Sequence, residues 1–307
     1  MSLALLFPGQ GTQHPAMLDW LDQRPEAAAT LALMAAQIGR DWRARSSDAP
    51  WANGNRVAQC LLTGLGLAAW QCLAARLPSP SVIAGYSVGE LAAFGAAGVF
   101  DATVALGLAR ERADAMERSV GGSDTGLLAV AGVGSDAIAR VCGRYGLAVA
   151  IELAADRSVL GGLSTPLDEA ALVMTRAGYR CQRLAVGVAS HTPWMAAAAA
   201  DFAQHLRDVP FAPVGATLVC NLTGQAVRGE PALRSALAGQ LAHPLRWSCC
   251  METIAQRLPR CVLEVGPGST LSKLWNERYP HVPARSVDEF RGPDAITAWV
   301  TGTLAAH

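Results

Sequence analysis

A serine between two glycines is the first place where this sequence could carry out chemistry. Residues 85–90 read Gly-Tyr-Ser-Val-Gly-Glu and follow an apolar run, Val82-Ile83-Ala84, that is typical of a buried parallel strand. Residues 91–94 read as helix, so Ser87 is predicted to lie on a tight strand-to-helix turn. The glycines leave room for the turn and for a substrate, and the helix N-terminus offers free N–H groups to an oxyanion. The pattern predicts a serine nucleophile, and the alternative is a glycine-rich turn with a bystander serine.

Such a serine needs a base, and the chain offers six histidines, at positions 14, 191, 205, 243, 281 and 307. We favour His191, because it lies in a predicted loop between a strand and a helix, where catalytic groups are commonly held. His205 falls in mid-helix, and His307 is terminal. The competing interpretation of His191 is a surface histidine without a catalytic role.

Arg112 is the third residue of interest. It falls in a helix that is predicted to begin at the N-cap Asp101 and to run to about Arg118. One hypothesis is a surface arginine that pairs with Glu111 or Glu117. The other is a bidentate clamp for a substrate carboxylate, which the guanidinium geometry favours.

Composition limits the classes of function. The 307 residues are 51% hydrophobic and 16% charged, with a formal net charge of zero, which excludes a disordered chain. Nothing in these totals indicates nucleic acid or an anionic membrane as a partner. We expect no signal peptide and no membrane span, because no basic leader or long apolar run is present. Eight scattered cysteines without a C-x-x-C pair predict reduced thiols in the cytoplasm, with no metal site and no disulfides.

Apolar runs predict an α/β architecture with a hydrolase-like parallel sheet. Strands are expected at 3–7, 82–86, 218–220 and 262–264, with helices near 26–40 and 56–76.

A different pattern interrupts this sheet domain. Strands are expected at 127–133, 147–153, 158–161 and 181–188. One helix is predicted from the N-cap Ser135 to Tyr145, and another from the N-cap Thr165 to Gly178. This β-α-β-β-α-β order predicts a ferredoxin-like subdomain at 122–189, inserted between the halves 1–121 and 190–307 of the catalytic domain.

Ordered motifs along the whole chain resemble those of the malonyl-CoA:acyl carrier protein transacylase family. They are Phe7-Pro8-Gly9-Gln10-Gly11-Thr12-Gln13, Gly85-Tyr86-Ser87-Val88-Gly89-Glu90, Arg112 with Met116, Ser190-His191, Gln240 ahead of Pro244 and Trp247, and Glu264-Val265-Gly266-Pro267-Gly268.

The resemblance implies a role for each matching residue. Ser87 is the nucleophile and His191 its base, and a main-chain carbonyl near Gln240 orients the imidazole in place of a triad aspartate. Backbone N–H groups of Gln10 and Val88 form the oxyanion hole.

The resemblance also implies a substrate pocket. Arg112 binds the free malonyl carboxylate, and Gln59 lies in the polar part of the pocket. No cofactor is bound: malonyl-CoA is the substrate, and a phosphopantetheine-type group on a small acyl carrier protein receives the acyl group. Membrane and nucleic acid are not expected as partners.

Two departures bear on the subclass. The family usually has histidine where this chain has Tyr86, and an Asn-rich stretch is replaced by residues 151–156. Tyr86 together with residues 91–94 resembles the epsilon subunit of malonate decarboxylase, which implies the carrier subunit of that enzyme as acceptor.

Three alternatives remain at this stage. The same transfer could serve fatty acid or polyketide synthesis. A serine hydrolase would need an acid between nucleophile and histidine in chain order, and Asp156 and Asp168 fall there. A non-catalytic carrier-binding scaffold is the third, against which Ser87, His191 and Arg112 argue.

Overall fold

Ten strands form two separate sheets in the part of the chain that the structure, a computed structural model, describes, which is residues 2–306. The strands are β1 (Leu3–Phe7), β2 (Val82–Gly85), β3 (Thr125–Ala131), β4 (Ala148–Ala154), β5 (Arg157–Leu163), β6 (Arg180–Arg183), β7 (Thr217–Cys220), β8 (Gln225–Val227), β9 (Cys261–Glu264) and β10 (Ala284–Ser286).

Helices cover both faces of the larger sheet and one face of the smaller. They are α1 (Pro25–Ile38), α2 (Trp42–Arg45), α3 (Ala49–Ala52), α4 (Asn55–Ala74), α5 (Gly89–Ala96), α6 (Ala102–Val120), α7 (Ser135–Tyr145), α8 (Ser164–Arg176), α9 (Ala196–Leu206), α10 (Glu230–Gly239), α11 (Trp247–Ala255), α12 (Thr270–Arg278) and α13 (Pro293–Ala305). Short 3-10 turns occur at Asp19–Gln23, Pro193–Met195 and Val287–Glu289.

The larger sheet has the order β10-β9-β1-β2-β7-β8, and all its strands are parallel except the edge strand β8. Phe7 pairs with Gly85 and Ala84 with Val219, so β1, β2 and β7 end at one edge of the sheet. Loops after parallel strands meet at that edge, where ligands of such sheets bind. The predicted α/β fold class is therefore confirmed.

Helix α4 is the central helix of the core. By length and composition it is long and apolar enough to cross a membrane, yet 78% of its most apolar 18-residue stretch is buried inside the fold. It packs chiefly against α1, α5 and α6. These contacts place its N-terminal residues Asn55 and Gln59 beside the inner face of α6.

The smaller sheet has the order β4-β5-β3-β6 and is antiparallel throughout, which is the ferredoxin-like arrangement. Successive residues of β3 face opposite sides, as the strand period of two requires. Leu128 and Val130 pack under α7 and α8, whereas Leu127 packs toward the larger sheet. The predicted ferredoxin-like subdomain is confirmed; its exact limits at 122 and 189 stay a prediction.

Backbone and ionic contacts join this subdomain to the rest of the chain. Glu152 N–H donates to Leu245 O at 2.8 Å, and Leu245 N–H donates to Ala150 O at 2.9 Å. Arg157 makes two bonds to the Glu277 carboxylate, at 2.8 and 2.9 Å. The subdomain is thereby joined to the segment that follows α10 and to helix α12.

Three local expectations need correction. Helix α7 is capped by Gly134 and α8 by Leu163, without a side-chain cap bond, so Ser135 and Thr165 lie inside the helices that they were expected to cap. Strand β6 ends at Arg183 rather than at 188. Beyond it, Val188 is buried in the larger domain and Val186 packs against that domain partly buried, so neither contributes to the small sheet.

Candidate active site

Ser87 lies on the turn between β2 and α5 in a left-handed conformation with φ of 56°. The flanking glycines are required sterically. A Cβ at Gly85 would lie 2.1 Å from the Gly89 carbonyl carbon, and one at Gly89 would lie 2.3 Å from Phe7 O. The chain can pass here only without these side chains, and the turn holds Ser87 at the edge where the parallel strands end.

His191 lies beside Ser87. Its Nε2 is 2.8 Å from Ser87 Oγ, although the two residues are 104 positions apart in sequence. His191 is in a loop, as expected, but it is 1% exposed and therefore not a surface residue. Its φ is 64°, and its N–H donates to Leu241 O at 2.8 Å.

The other imidazole nitrogen is held by the main chain. His191 Nδ1 lies 2.6 Å from Gln240 O, and a carbonyl can only accept. Nδ1 therefore carries the proton, and the Nε2 lone pair faces the Ser87 hydroxyl. Burial and the positive charge of Arg112 lower the pKa of His191 to about 3, which leaves the ring neutral at neutral pH with its Nε2 lone pair unprotonated.

The two acids on which the hydrolase alternative depends lie elsewhere. Asp168 pairs with Arg183 on the subdomain surface at 3.6 Å, and Asp156 lies in the turn between β4 and β5. The position that a triad acid would occupy is taken by Gln240 O. The arrangement is a serine–histidine dyad with a carbonyl as the third group.

Arg112 is buried at 1% exposure on the inner face of α6. Its guanidinium contacts Gln59 Oε1 at 2.7 Å, Met116 Sδ at 3.4 Å and Ser87 Oγ at 3.4 Å, which are all neutral partners. Its Nε is buried without a partner among residues 2–306. The surface-pair hypothesis is wrong, because Arg112 is buried and pairs with neither Glu111 nor Glu117 among residues 2–306; Glu111 pairs with Arg110 at 2.8 Å.

Burial lowers the pKa of Arg112 to about 10, against the attraction of the Glu90 carboxylate, so the group stays charged at neutral pH. A buried cation whose close partners are all neutral is costly. This electrostatic situation favours an anionic ligand next to the Ser87 hydroxyl.

Gln59 and Asn55 form a polar row behind Arg112. Gln59 Nε2 donates to Asn55 Oδ1 at 2.8 Å, while Gln59 Oε1 accepts from Arg112. Gln10 Nε2 reaches Asn55 Oδ1 at 3.2 Å and thereby ties the loop after β1 to the start of α4. Asn55 was not among the residues predicted from the sequence.

Two backbone N–H groups are available at the nucleophile. Those of Gln10 and Val88 meet no acceptor within residues 2–306. Val88 follows Ser87 directly and opens α5, and the Gln10 loop leaves β1, the neighbour of β2. Free N–H groups in these places are suited to an oxyanion.

Sequence reasoning missed Asn221, which braces the nucleophile turn. Its Oδ1 accepts Ser87 N–H at 2.8 Å, and its Nδ2 donates to Gly85 O at 2.6 Å. Asn221 directly follows β7, the other neighbour of β2, so a polar residue at the end of a buried strand was the available signal.

Tyr86 packs away from the dyad. Its ring meets Trp247 edge-on, with centroids 5.1 Å apart, in the cluster between the larger sheet and the subdomain. Replacing the usual histidine by Tyr86 therefore leaves the contact between Ser87 and His191 in place.

Comparison with known proteins agrees with this geometry. A family model described as an acyl transferase domain matches residues 4–283. The chain belongs to the acyl transferase family. It is an enzyme, so the non-catalytic scaffold interpretation is wrong.

His307, one of the histidines considered above as a base, lies outside the described residues.

Relatives of the acyltransferase match over nearly its full length. The malonyl CoA-acyl carrier protein transacylase of Mycobacterium tuberculosis (strain CDC 1551 / Oshkosh) is 34% identical over 291 residues, covering 93% of this chain and 96% of the relative. The crystal structure of malonyl-CoA:acyl carrier protein transacylase from Xanthomonas oryzae pv. oryzae aligns with a TM-score of 0.89 at 28% identity, over 98% and 99% of the two chains. The resemblance to the transacylase family is confirmed.

A further structural neighbour was solved in complex with its partner. A malonyl-transacylase in complex with a type II polyketide synthase acyl carrier protein aligns with a TM-score of 0.88 at 27% identity over the whole of both chains. The finer resemblance to the malonate decarboxylase subunit receives no support from these relatives.

Proposed function

We propose that the enzyme transfers a malonyl group from malonyl-CoA, through an ester on Ser87, to the thiol of a phosphopantetheine arm on an acyl carrier protein. The names of the relatives support the reaction class. The substrate is supported by one observation above all, the buried Arg112 guanidinium 3.4 Å from Ser87 Oγ.

The free carboxylate of a malonyl thioester would compensate the buried positive charge of Arg112. Arginine binds carboxylates in a bidentate manner, and its unpartnered Nε adds a donor. An acetyl thioester would leave the cation buried and unpaired. The pocket thus selects for an acyl group that carries a negative charge at its far end.

Acylation begins with proton transfer. His191 Nε2 takes the Ser87 hydroxyl proton as Oγ attacks the thioester carbonyl, and the N–H groups of Gln10 and Val88 stabilise the resulting oxyanion. As the tetrahedral intermediate collapses, the carbon–sulfur bond breaks and His191 returns the proton to the CoA sulfur. Malonyl-Ser87 and free CoA are the products.

Transfer to the carrier runs the same steps in reverse. His191 removes the proton from the arm thiol, the sulfur attacks the ester carbonyl of malonyl-Ser87, and the same N–H groups hold the oxyanion. Collapse breaks the bond to Ser87 Oγ, which regains the proton from His191. No metal is needed at any step.

Mass spectrometry of the intact enzyme after incubation with malonyl-CoA tests this function. We expect the mass to rise by one malonyl group, on Ser87, and to return to its starting value when a holo acyl carrier protein is added. A serine hydrolase would release malonate without a carrier. An adduct on a different residue would contradict the assignment.

Replacing Arg112 with alanine should reduce malonyl transfer by about 3 kcal/mol of transition-state stabilisation, roughly 150-fold, because a desolvated charge pair is lost. Acetyl transfer should fall far less, since acetyl-CoA has no free carboxylate. Steady-state rates with both donors measure the change in selectivity. Arg110→Ala, on the exposed side of the same helix, is the matched control. Equal losses for both donors would show that Arg112 is structural.

For the acceptor we propose a carrier of the fatty acid or polyketide type. The neighbour solved in complex with a polyketide synthase carrier supports this choice. The segment that resembled the decarboxylase subunit, residues 91–94, is at most 1% exposed and packs in the core. This segment therefore serves internal packing and does not contact a carrier. The resemblance at Tyr86 is what remains in favour of the malonate decarboxylase carrier, which is the second candidate acceptor.

Competition between carriers tests the acceptor. Malonyl-Ser87 enzyme is mixed with equal concentrations of a fatty-acid-type holo carrier and of a malonate decarboxylase carrier subunit with its prosthetic group. We expect the fatty-acid-type carrier to be malonylated at least about tenfold faster, or roughly 1.4 kcal/mol of differential recognition. A preference for the decarboxylase carrier would reinstate that candidate. Carriers without their prosthetic groups give the background.

A further inference from the structure

Glu90 has a buried carboxyl group beside the turn that carries Ser87. This carboxyl group has no part in the transfer steps described above. It lies in the first turn of α5 and is 1% exposed. Its Oε1 accepts Asn221 N–H at 2.5 Å, and its Oε2 accepts from Gln240 Nε2 at 3.0 Å. Both oxygens thus face donors, which is the pattern of an ionised carboxylate.

The two partners of Glu90 are the residues that hold the reacting pair. Asn221 bonds to Ser87 N and Gly85 O, and so fixes the strained turn. Gln240 holds His191 Nδ1 through its main-chain oxygen, and its side chain also donates to Ser87 O at 3.2 Å. One carboxylate therefore connects the segment carrying the serine to the segment that orients the histidine.

The geometry assigns to Glu90 the role of a positioning residue, whose anionic carboxylate keeps Asn221 and Gln240, and through them Ser87 and His191, at reacting distance. The assignment deepens the proposed function, because it rests on Ser87 and His191 as the reacting pair. Glu90 is buried behind the turn and acts through its two neighbours.

Protonation of Glu90 would break this arrangement. A carboxylic acid has an O–H that must donate, whereas the Asn221 N–H and the Gln240 Nε2 that face it are donors. Only the Gln240 Oε1, which is buried without a partner among residues 2–306, could accept that proton, and turning the amide to present it would remove the bond from Nε2 to Ser87 O. Either Asn221 or Gln240 would have to move, and each is bonded to the dyad. Two left-handed residues, Ser87 and His191, depend on those bonds to stay in place.

The surroundings bring this protonation into an accessible pH range. Burial raises the pKa of Glu90 to about 8, although the Asn221 N–H, the Arg112 charge and the Gln240 amide oppose the rise. The other titratable groups facing it are the thiols of Cys220 on β7 and Cys250 on α11, whose pKa values burial raises well above their usual range. The His191 imidazole has its pKa lowered to about 3, so it stays neutral through the same pH range.

The test is the pH dependence of Ser87 reactivity toward a fluorophosphonate, a serine-directed reagent that needs the dyad but no malonyl pocket. For the wild-type enzyme we expect the labelling rate to fall as the pH drops, with a midpoint near 8 and at least a tenfold difference between the two plateaus. A rate that is flat from pH 5 to 9, or that has its midpoint at the ordinary value for histidine, would overturn the assignment.

Glu90→Gln supplies the second measurement. The amide keeps the size of the side chain but places an N–H₂ group against the Gln240 amide. We expect labelling at pH 8.5 to slow at least tenfold and the pH step to vanish. Glu264→Gln is the matched control: this carboxyl is also fully buried, with its pKa raised to about 7 by burial, but it binds Leu271 and Ser272 N–H at the start of α12. That variant should lose thermal stability and keep the wild-type midpoint.

The outcomes separate this inference from the proposed function. Normal fluorophosphonate labelling with a Glu90-dependent pH step, but without malonylation of Ser87, would remove the malonyl assignment and leave the role of Glu90 intact. Malonylation of wild-type and Glu90→Gln enzymes at the same rate and with the same pH profile would remove the role of Glu90 alone.

Discussion

Ser87→Ala should abolish the malonyl adduct and reduce malonyl transfer on the order of 10⁴-fold or more, as expected when a covalent nucleophile is removed. The residual rate would come from binding and from the N–H groups of Gln10 and Val88, which the substitution leaves in place. Intact-mass analysis and a carrier malonylation assay measure the two effects.

The fold should tolerate this change. Alanine meets the same backbone requirement as serine at φ of 56°, and the bond from residue 87 N–H to Asn221 Oδ1 does not use the side chain. An unchanged melting temperature with lost activity would separate chemistry from structure. Persistence of the adduct in Ser87→Ala would place the nucleophile on another residue.

His191→Ala should slow acylation of Ser87 at least on the order of 10³-fold, because an unassisted serine hydroxyl is a weak nucleophile. Rapid-quench measurement of malonyl-Ser87 formation isolates this step from carrier binding. His191 itself should not titrate between pH 5 and 9, since burial lowers its pKa to about 3, so any pH step in wild-type acylation over this range comes from another group.

His191 also contributes to the structure, so the alanine variant has to be compared with a second substitution at the same position. Its side chain is buried and its φ is 64°, which alanine adopts reluctantly. His191→Asn is the matched variant, because asparagine tolerates the left-handed conformation more readily. Both variants should lose acylation, and the asparagine form should be the more stable. Normal acylation in either would mean that the base lies elsewhere.

The sequence could predict the nucleophile turn because its causes are local. An apolar run, two glycines and a following helix lie within a dozen residues, and the glycines at 85 and 89 are dictated by backbone contacts of the turn and of β1. The β-α-β-β-α-β order of the subdomain was likewise readable from local apolar periods. The end of β6 was not, because the packing of Val186 and Val188 against the larger domain decided it. The caps of α7 and α8 were missed because no side-chain cap bond forms at either helix.

The tertiary structure alone decided which distant residues surround Ser87. The sheet order brings β2 between β1 and β7, and so places Asn221 on the nucleophile turn from 134 positions away. It also brings Glu90 to Gln240, which are 150 positions apart. No local period encodes such contacts, because they depend on strand order and register. The substrate proposal depends on the burial of Arg112 among neutral partners. The packing of α4 against α6 decides that burial, and the sequence does not show it.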